Sequence, residues 1–339
     1  MEKNTCVCVT GGAGFIGSWL VKKLLDKGYI VHATLRNLED SSKVGLLKRL
    51  PHADTSLVLF RADIYNAEEF EPAIRGCAFV FHVATPLLHN NPTSNSKFKD
   101  TTEAAIAGVR SIIGSCLRSG TVKRLIYTGS VMSASPLKED GSNFMDSIDE
   151  SCWTPIHHSF SYSSGFEQAY ISSKTQSEKE VLSYCNIEEG GLEVVSLPCA
   201  LVGGDTHLSY VPGSVGVVIS QLTGEEACYG QLKLLEEMLG SVPLIHIDDV
   251  CEAHIFCMEQ PSMAGRFLCA SAYPTIAELA KYFSEKYPEI QIAKEFAEPE
   301  IRIDCGSTKL TDMGFQFNYD LMRILDDSVQ CARRLGLLK

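Results

Sequence analysis

Three residues in the middle of the chain have the types and spacing to move a proton. Tyr170 and Lys174 lie four apart in GFEQAYISSKTQSEKEVL, a stretch that reads as a helix, so their side chains share a face. Ser130 falls just past the apolar strand KRLIYT (123–128). A tyrosine alone, with a pKa near 10, exchanges its proton too slowly at neutral pH, and a neighbouring cation lowers it. A serine placed beside the phenol could hold the oxygen of a carbonyl that receives a hydride. The same Tyr-x-x-x-Lys spacing recurs at Tyr229/Lys233 and Tyr282/Lys286. Neither follows a strand-end serine within a helix's reach, so position favours Tyr170.

A hydride needs a carrier, and TGGAGFIG (10–17) has the form of a phosphate-binding turn. It follows the strand TCVCVT (5–10) and opens the helical stretch FIGSWLVKKLLDKG (15–28). Gly11, Gly14 and Gly17 allow a tight turn, close backbone approach to a pyrophosphate and close helix–strand packing, and the helix start at Phe15 and Ile16 offers amide donors. The second strand ends in HATLRN, giving Arg36 and Asn37 where a carboxylate would read the ribose of NAD; Lys43 follows in the next helix. Two cations and no acid favour the extra phosphate of NADP. Asp63, after the third strand, is a candidate acceptor for the adenine amino group, with Ile64 packing beside it.

The elements that must position these residues alternate. After the first strand and helix come YIVHATL, SSKVGLLKRL, SLVLF, AEEFEPAIRG, AFVFHVA, an amphipathic stretch from about Lys97 to Arg118, and KRLIYT. Strands this apolar, separated by helices, imply an α/β fold: a Rossmann-type doubly wound parallel sheet with a smaller C-terminal substrate lobe. Beyond Leu197 the rhythm breaks. VPLIHI (242–247) reads as a strand returning to the sheet, followed by a helix capped by Asp248, and the tail carries helices at 275–286 and 319–336. The expected division is 1–197 plus 242–271 for the NADP-binding domain, and 198–241 plus 272–339 for the substrate lobe.

Composition narrows the class. The chain has 339 residues, 45% hydrophobic, and a formal net charge of −12, the wrong sign for nucleic acid or an anionic membrane surface. Its longest apolar run, near Cys77 to Leu88, is too short to span a bilayer. Thirteen cysteines without a C-x-x-C pair suit a reducing, cytoplasmic setting, with Cys6 and Cys8 as small fillers on one strand face. No obligate protein partner is visible. His246, Asp248, Asp249 and His254 have the types of a metal set, yet a strand end and a capped helix explain them, and no metal site is expected. His157-His158 reads as a solvated pair, Cys152 as packing, and Leu232–Met238 as either pocket lining or core.

TGGAGFIG, Ser130 and Tyr170-x-x-x-Lys174 together resemble the extended short-chain dehydrogenase/reductases. VCVTGGAGFIGSWLVKKLL, FVFHVATP, DESCW, LPCALVGGD and HIDDVCEAHIF are similar, more narrowly, to the plant dihydroflavonol reductase/anthocyanidin reductase group. Within that group VHATLRN, ESCWTP, LGSVPLIHIDDV and AGRFLCASAYPTI most resemble HC-toxin reductase. The resemblance implies NADPH, a Ser130–Tyr170–Lys174 triad, and nicotinamide-side contacts from Val83, Ala84, Thr85, Pro198, Leu201 and Ser214. Thr85, Ser130 and Ser135 are the expected substrate-pocket residues. Most of the group reads T-S-S where this chain reads Thr128-Gly129-Ser130. Dihydroflavonol reductases carry an asparagine at the position of Ser135, which speaks against that activity. The expectation is a carbonyl reductase acting on a small apolar or aromatic ketone, flavonoid-like or polyketide-like. The rivals are anthocyanidin reductase proper, a nucleotide-sugar epimerase or dehydratase that keeps NAD bound, and an NADP-binding module without chemistry.

Overall fold

A computed structural model describes residues 5–86, 98–185, 191–292 and 301–339. Its strands in chain order are β1 (Cys6–Thr10), β2 (Ile30–Leu35), β3 (Leu57–Arg61), β4 (Phe79–His82), β5 (Arg124–Ser130), β6 (Ser147–Ile148), β7 (Glu193–Cys199), β8 (Leu201–Gly203), β9 (Leu244–His246), β10 (Gly265–Arg266) and β11 (Asp304–Cys305). By internal contacts the chain forms two compact units. One comprises Met1–Gly129, Ser172–Leu197 and Cys251–Phe267; the other comprises Ser130–Ile171, Pro198–Val250 and Leu268–Lys339.

The first unit holds the sheet, a seven-stranded array in the order β10-β7-β5-β4-β1-β2-β3. The pairs β1–β2, β1–β4, β2–β3, β4–β5 and β7–β10 are all parallel. The Rossmann-type reading is therefore correct, and its reason lies in burial. β4 and β5 are buried along their whole lengths, which requires apolar side chains on both faces. The chain reverses direction of travel across the sheet between β1 and β4, the switch point at which such folds bind ligands. One face packs a core containing Ile64, Phe70, Val109, Ile112, Ile113 and Val181. The expected amphipathic stretch becomes the helix Thr101–Ser119, capped by Asp100 through Glu103 N (2.9 Å) and ended by Gly120 in the left-handed region; Lys97, its expected start, lies outside the described residues.

Arg124 ties the sheet to the helix Ile247–Glu259. Its guanidinium, 2% exposed, donates to the carbonyls of Cys257, Met258 and Gln260 and pairs with Glu193. A cation at a helix C-terminus also meets the negative end of the helix dipole.

The second unit contains two small parallel pairs, β6 with β11 and β8 with β9. VPLIHI thus forms a strand, but it does not return to the large sheet. β8 offers an edge immediately after β7, and Ile324 and Ser328 pack so closely on Gly203 that a side chain there would collide with both. The edge of the large sheet is taken instead by β10. Segment 130–171 joins this unit, contrary to the expected boundaries, because its buried hydroxyls bond within it: Ser135 Oγ donates to Met238 O (2.5 Å) and Thr154 Oγ1 to Met132 O (2.7 Å). The helix expected to be capped by Asp248 begins at Ile247, and the ring of His246 accepts from Asp248 N (3.1 Å) in its place. The tail helices are Ile276–Lys286, with a Thr275/Glu278 capping box, and Leu321–Arg334. Among the described residues no helix is long and apolar enough to cross a membrane.

Candidate active site

The glycine turn is built for close approach. Gly11 has φ +68°, and a side chain on it would crowd Ala84 at 3.1–3.3 Å. A side chain on Gly17 would collide with Gly11 O, and one on Gly12 would lie 2.8 Å from the Ala33 methyl. Gly12 was not singled out from sequence; only the β2 residue opposite it reveals the constraint. Gly14 starts the helix Phe15–Asp26 without a side-chain cap, and no acid occupies the first turn. The amides opening the helix at Phe15 and Ile16 are therefore available to an anion.

Two threonines that sequence reasoning missed hold this turn. Thr34 on β2 accepts from Gly11 N through its hydroxyl (3.2 Å) and from Gly12 N through its carbonyl (3.0 Å). Thr10 Oγ1 accepts from both Val83 N and Ala84 N (3.0 Å each) and lies 3.0 Å from His82 Nδ1. With both acceptor positions filled, the hydroxyl donates its own proton to Nδ1, which fixes the ring as the Nε2–H tautomer. Burial, reinforced by the nearby Lys174 ammonium, pushes His82 down to about 3, so the ring is neutral. Strand-end threonines are common, and their sequence positions alone do not mark them.

The residues expected to choose the cofactor follow β2 and β3. Arg36 is exposed immediately after β2, near enough to Tyr65 to oppose the rise of its phenol. Lys43 is half exposed, but its ammonium lies 3.6 Å from Asp40, whose carboxylate also caps Lys43 N. That pairing partly neutralises the Lys43 ammonium. Asp63 accepts from Tyr65 N (3.1 Å), and Ile64 is buried against Gly108. His82, Ala84, Thr85 and Ile64 line one small cleft with Tyr127 and Ser177.

Tyr170 and Lys174 lie on one helix, Gly165–Leu182, a turn apart. The Lys174 ammonium is buried and donates to Thr85 Oγ1 (2.9 Å) and Thr128 O (3.0 Å). Thr85, expected beside the nicotinamide, is thus brought to Lys174. Ser130 sits at the end of β5, and its hydroxyl accepts from Met132 N (3.2 Å). Burial raises the Tyr170 phenol above its ordinary value; the nearby Ser130 hydroxyl works against that rise, and the Cys199 sulfur adds to it. The lowering expected from Lys174 is not what sets this phenol, since burial dominates.

Pro198 is the penultimate residue of β7 and is buried, Leu201 opens β8, and Ser214 lies partly exposed in the first turn of the helix Gly213–Val218. Ser135 departs from expectation. It is fully buried, and its hydroxyl bridges Met238 O and Leu137 N (3.1 Å), so it braces the segment rather than facing a ligand.

The residues with metal-ligand types have other duties. His246 stacks on Tyr319 with centroids 3.8 Å apart; Asp249 accepts from Asn318 N and Tyr319 N; His254 Nε2 lies 2.8 Å from Thr128 Oγ1. Cys152 is buried, with its thiol near Asp149 N (3.4 Å). Leu232, Leu234, Leu235 and Met238 form the buried face of the helix Glu226–Leu239. None of the thirteen cysteines is in a disulfide. Cys6, however, is no mere filler: its sulfur lies 3.5 Å from Cys77 Sγ.

A glycine turn at the switch point of a parallel doubly wound sheet, with an uncapped helix start behind it, defines a dinucleotide-binding Rossmann protein. Residues 7–268 match the NAD dependent epimerase/dehydratase family. A Ginkgo biloba protein provisionally named an anthocyanidin reductase is 40% identical over 99% of this chain and 96% of its own length. A dihydroflavonol 4-reductase of Callistephus chinensis is 38% identical over 98% of this chain and 87% of its own length. The crystal structure of vestitone reductase from alfalfa superposes with a TM-score of 0.78, at 34% identity, covering 98% of this chain and 99% of that one. The chain belongs to the NAD dependent epimerase/dehydratase family and, within it, to the dihydroflavonol/anthocyanidin reductase group, oxidoreductases acting on CH–OH and C=O groups.

Proposed function

We propose that this protein is an NADPH-dependent reductase that delivers hydride to the carbonyl of a flavonoid-like or polyketide-like ketone, with Tyr170 as proton donor. The observation that carries the reading is the helix Gly165–Leu182, which sets Tyr170 near the strand-end Ser130 and presents the buried Lys174 ammonium one turn later. The residues present fit the dinucleotide: the turn leaves no room for side chains at Gly11 and Gly17, the helix start is uncapped, and Arg36 stands where a carboxylate would select NAD. Gly11, Gly14, Phe15, Ile16 and Gly17 would hold the pyrophosphate, and Arg36, with Lys43 in a lesser role, the 2′-phosphate. Asp63 would take the adenine edge beside Ile64. Val83, Ala84, Thr85, Pro198, Leu201 and Ser214 would take the nicotinamide side, and Lys174 the ribose. When bound, NADPH supplies the hydride.

The chain's own part is proton transfer and positioning. Ser130 orients the carbonyl oxygen, and Tyr170 gives that oxygen its proton as the carbon is reduced to an alcohol. At neutral pH the phenol is protonated, the form a donor requires, and Ser130, which opposes the rise that burial imposes, eases the release of that proton. Relatives that are named flavonoid reductases support the substrate class. The thiol state of all thirteen cysteines accords with work in the cytoplasm.

Two variants test the reading. Tyr170→Phe should bind NADPH as the parent does, followed by fluorescence, while turnover falls by about 10²–10⁴. Turnover that persists at the parent rate removes Tyr170 from the mechanism. Arg36→Ala should weaken NADPH roughly tenfold and leave NADH unchanged; equal losses for both would refute the phosphate role. NADPH consumption across ketones, flavonoids and anthocyanidins, with products identified by mass spectrometry, names the substrate.

A further inference from the structure

Cys6, His32 and Cys77 converge at the end of the sheet away from the glycine turn. Cys6 opens β1, His32 is the third residue of β2, and Cys77 precedes β4 by two positions. Parallel pairing assembles them: Ala78 N donates to Cys6 O (2.8 Å), and His32 stands beside Cys8 in register. Cys6 Sγ lies 3.5 Å from Cys77 Sγ, Cys77 Sγ lies 3.4 Å from His32 Nδ1, and all three ligand atoms fall within 4.8 Å of one another.

Those separations have a chemical meaning. With zinc–sulfur bonds of about 2.3 Å and zinc–nitrogen bonds of about 2.0–2.1 Å, the edges of a ligand tetrahedron are roughly 3.5–3.8 Å. Two of the three edges already stand close to that range. Buried thiols that merely fill space have no need of a histidine between them, and a half-exposed histidine has no need of two thiols. The Ala73 carbonyl accepts from His32 Nδ1 (2.8 Å) and from Cys77 Sγ (3.3 Å). If Cys77 lost its proton and the His32 ring changed tautomer, its proton passing from Nδ1 to Nε2 so that it stays neutral, that oxygen would become available as a further ligand. Phe60 packs on the His32 ring with centroids 4.8 Å apart, limiting its rotation.

We propose that Cys6, Cys77 and His32 form a binding site for a thiophilic divalent cation of the zinc type. Each thiol gives up its proton as its metal–sulfur bond forms, and His32 contributes a neutral ring nitrogen. β1 runs from Cys6 to Thr10, so the site lies about 13 Å of strand away from the glycine turn. Its role is structural, joining the starts of β1, β2 and β4.

The purified full-length protein, reduced and stripped with a chelator, is titrated with Co²⁺, whose thiolate complexes absorb strongly in the near ultraviolet. The expected result is one equivalent bound with a two-thiolate band, displaced by Zn²⁺. The band should fall by about half in Cys6→Ser, lose its intensity or affinity in His32→Ala, and persist in Cys305→Ser. Cys6 and His32 are only partly buried, so these variants should keep the parent circular dichroism, which is recorded alongside. No thiolate band, or a band indifferent to Cys6→Ser, overturns the proposal. So does a protein that ignores Co²⁺ but links Cys6 to Cys77 on mild oxidation, which would make the pair a redox couple instead.

Discussion

His82 is the residue whose chemistry sequence alone conceals most completely. In FVFHVATP it reads as one polar letter in a buried strand, yet the Thr10 hydroxyl that meets its ring also anchors Val83 and Ala84. Its folded-state pKa, about 3, lies below the ordinary value of 6.5. Between those values the unfolded chain binds the proton and the native state does not, so stability is complete above about pH 6.5 and declines as pH falls toward 3. Urea unfolding at pH 5 should show about 2 kcal/mol less from this group than at pH 7.5. His82→Asn should abolish that share of the pH slope; an unchanged slope would place the proton elsewhere. That Tyr170 and Lys174 share one helix a turn apart, by contrast, was legible because the spacing is local. Ser135 was misread because its partner, Met238 O, lies 103 residues away.

At the scale of elements, the strands and helices of the sheet unit follow from apolar runs and caps that short windows contain. Asp100 before Thr101–Ser119 and Gly120 after it are examples. Three-residue strands carry no such signal. β9 pairs with β8 rather than the large sheet, and β10, two residues long, takes the edge that VPLIHI was expected to fill. The Cys6–His32–Cys77 cluster escapes for a related reason, since strand pairing creates neighbours that no spacing motif encodes. Arg124 shows what such long-range placement is worth. Its removal leaves Glu193 and three helix-end carbonyls without their buried donor, which costs about 3–5 kcal/mol. Arg124→Met should therefore lower the urea midpoint sharply at unchanged m-value. A loss under 1 kcal/mol would mean that water replaces the guanidinium.

For the molecule as a whole, the sequence suggested two interleaved units of two segments each, 1–197 with 242–271 and 198–241 with 272–339, whereas each compact unit comprises three separated segments. Composition did not reveal this: 130–171 is rich in serine, but that bias names no neighbour, whereas contacts such as Ser135 to Met238 tie the segment to the second unit. A fragment ending at Leu197 lacks the helix that receives Arg124 and the strand at the sheet edge. It should show no cooperative urea transition and no NADPH binding. A fragment that unfolds cooperatively would establish that the sheet is autonomous. The net charge of −12 argues against polyanionic partners without forbidding a local cation such as Arg36.

The reach of Arg124 also sets a clock for biosynthesis. The carbonyls it serves lie 133 to 136 residues further along the chain. At about 5–20 residues per second, a ribosome needs roughly 7–27 s to make them after Arg124 itself. Glu193, the ion-pair partner, follows 69 residues after Arg124, but until the interval closes the nascent chain carries a central strand whose guanidinium lacks its three carbonyls and whose sheet lacks its final edge. Soluble yield on expression should therefore fall when holding chaperones are depleted by more than the urea stability of the finished protein would imply, and a yield that does not change would show that the wait costs nothing.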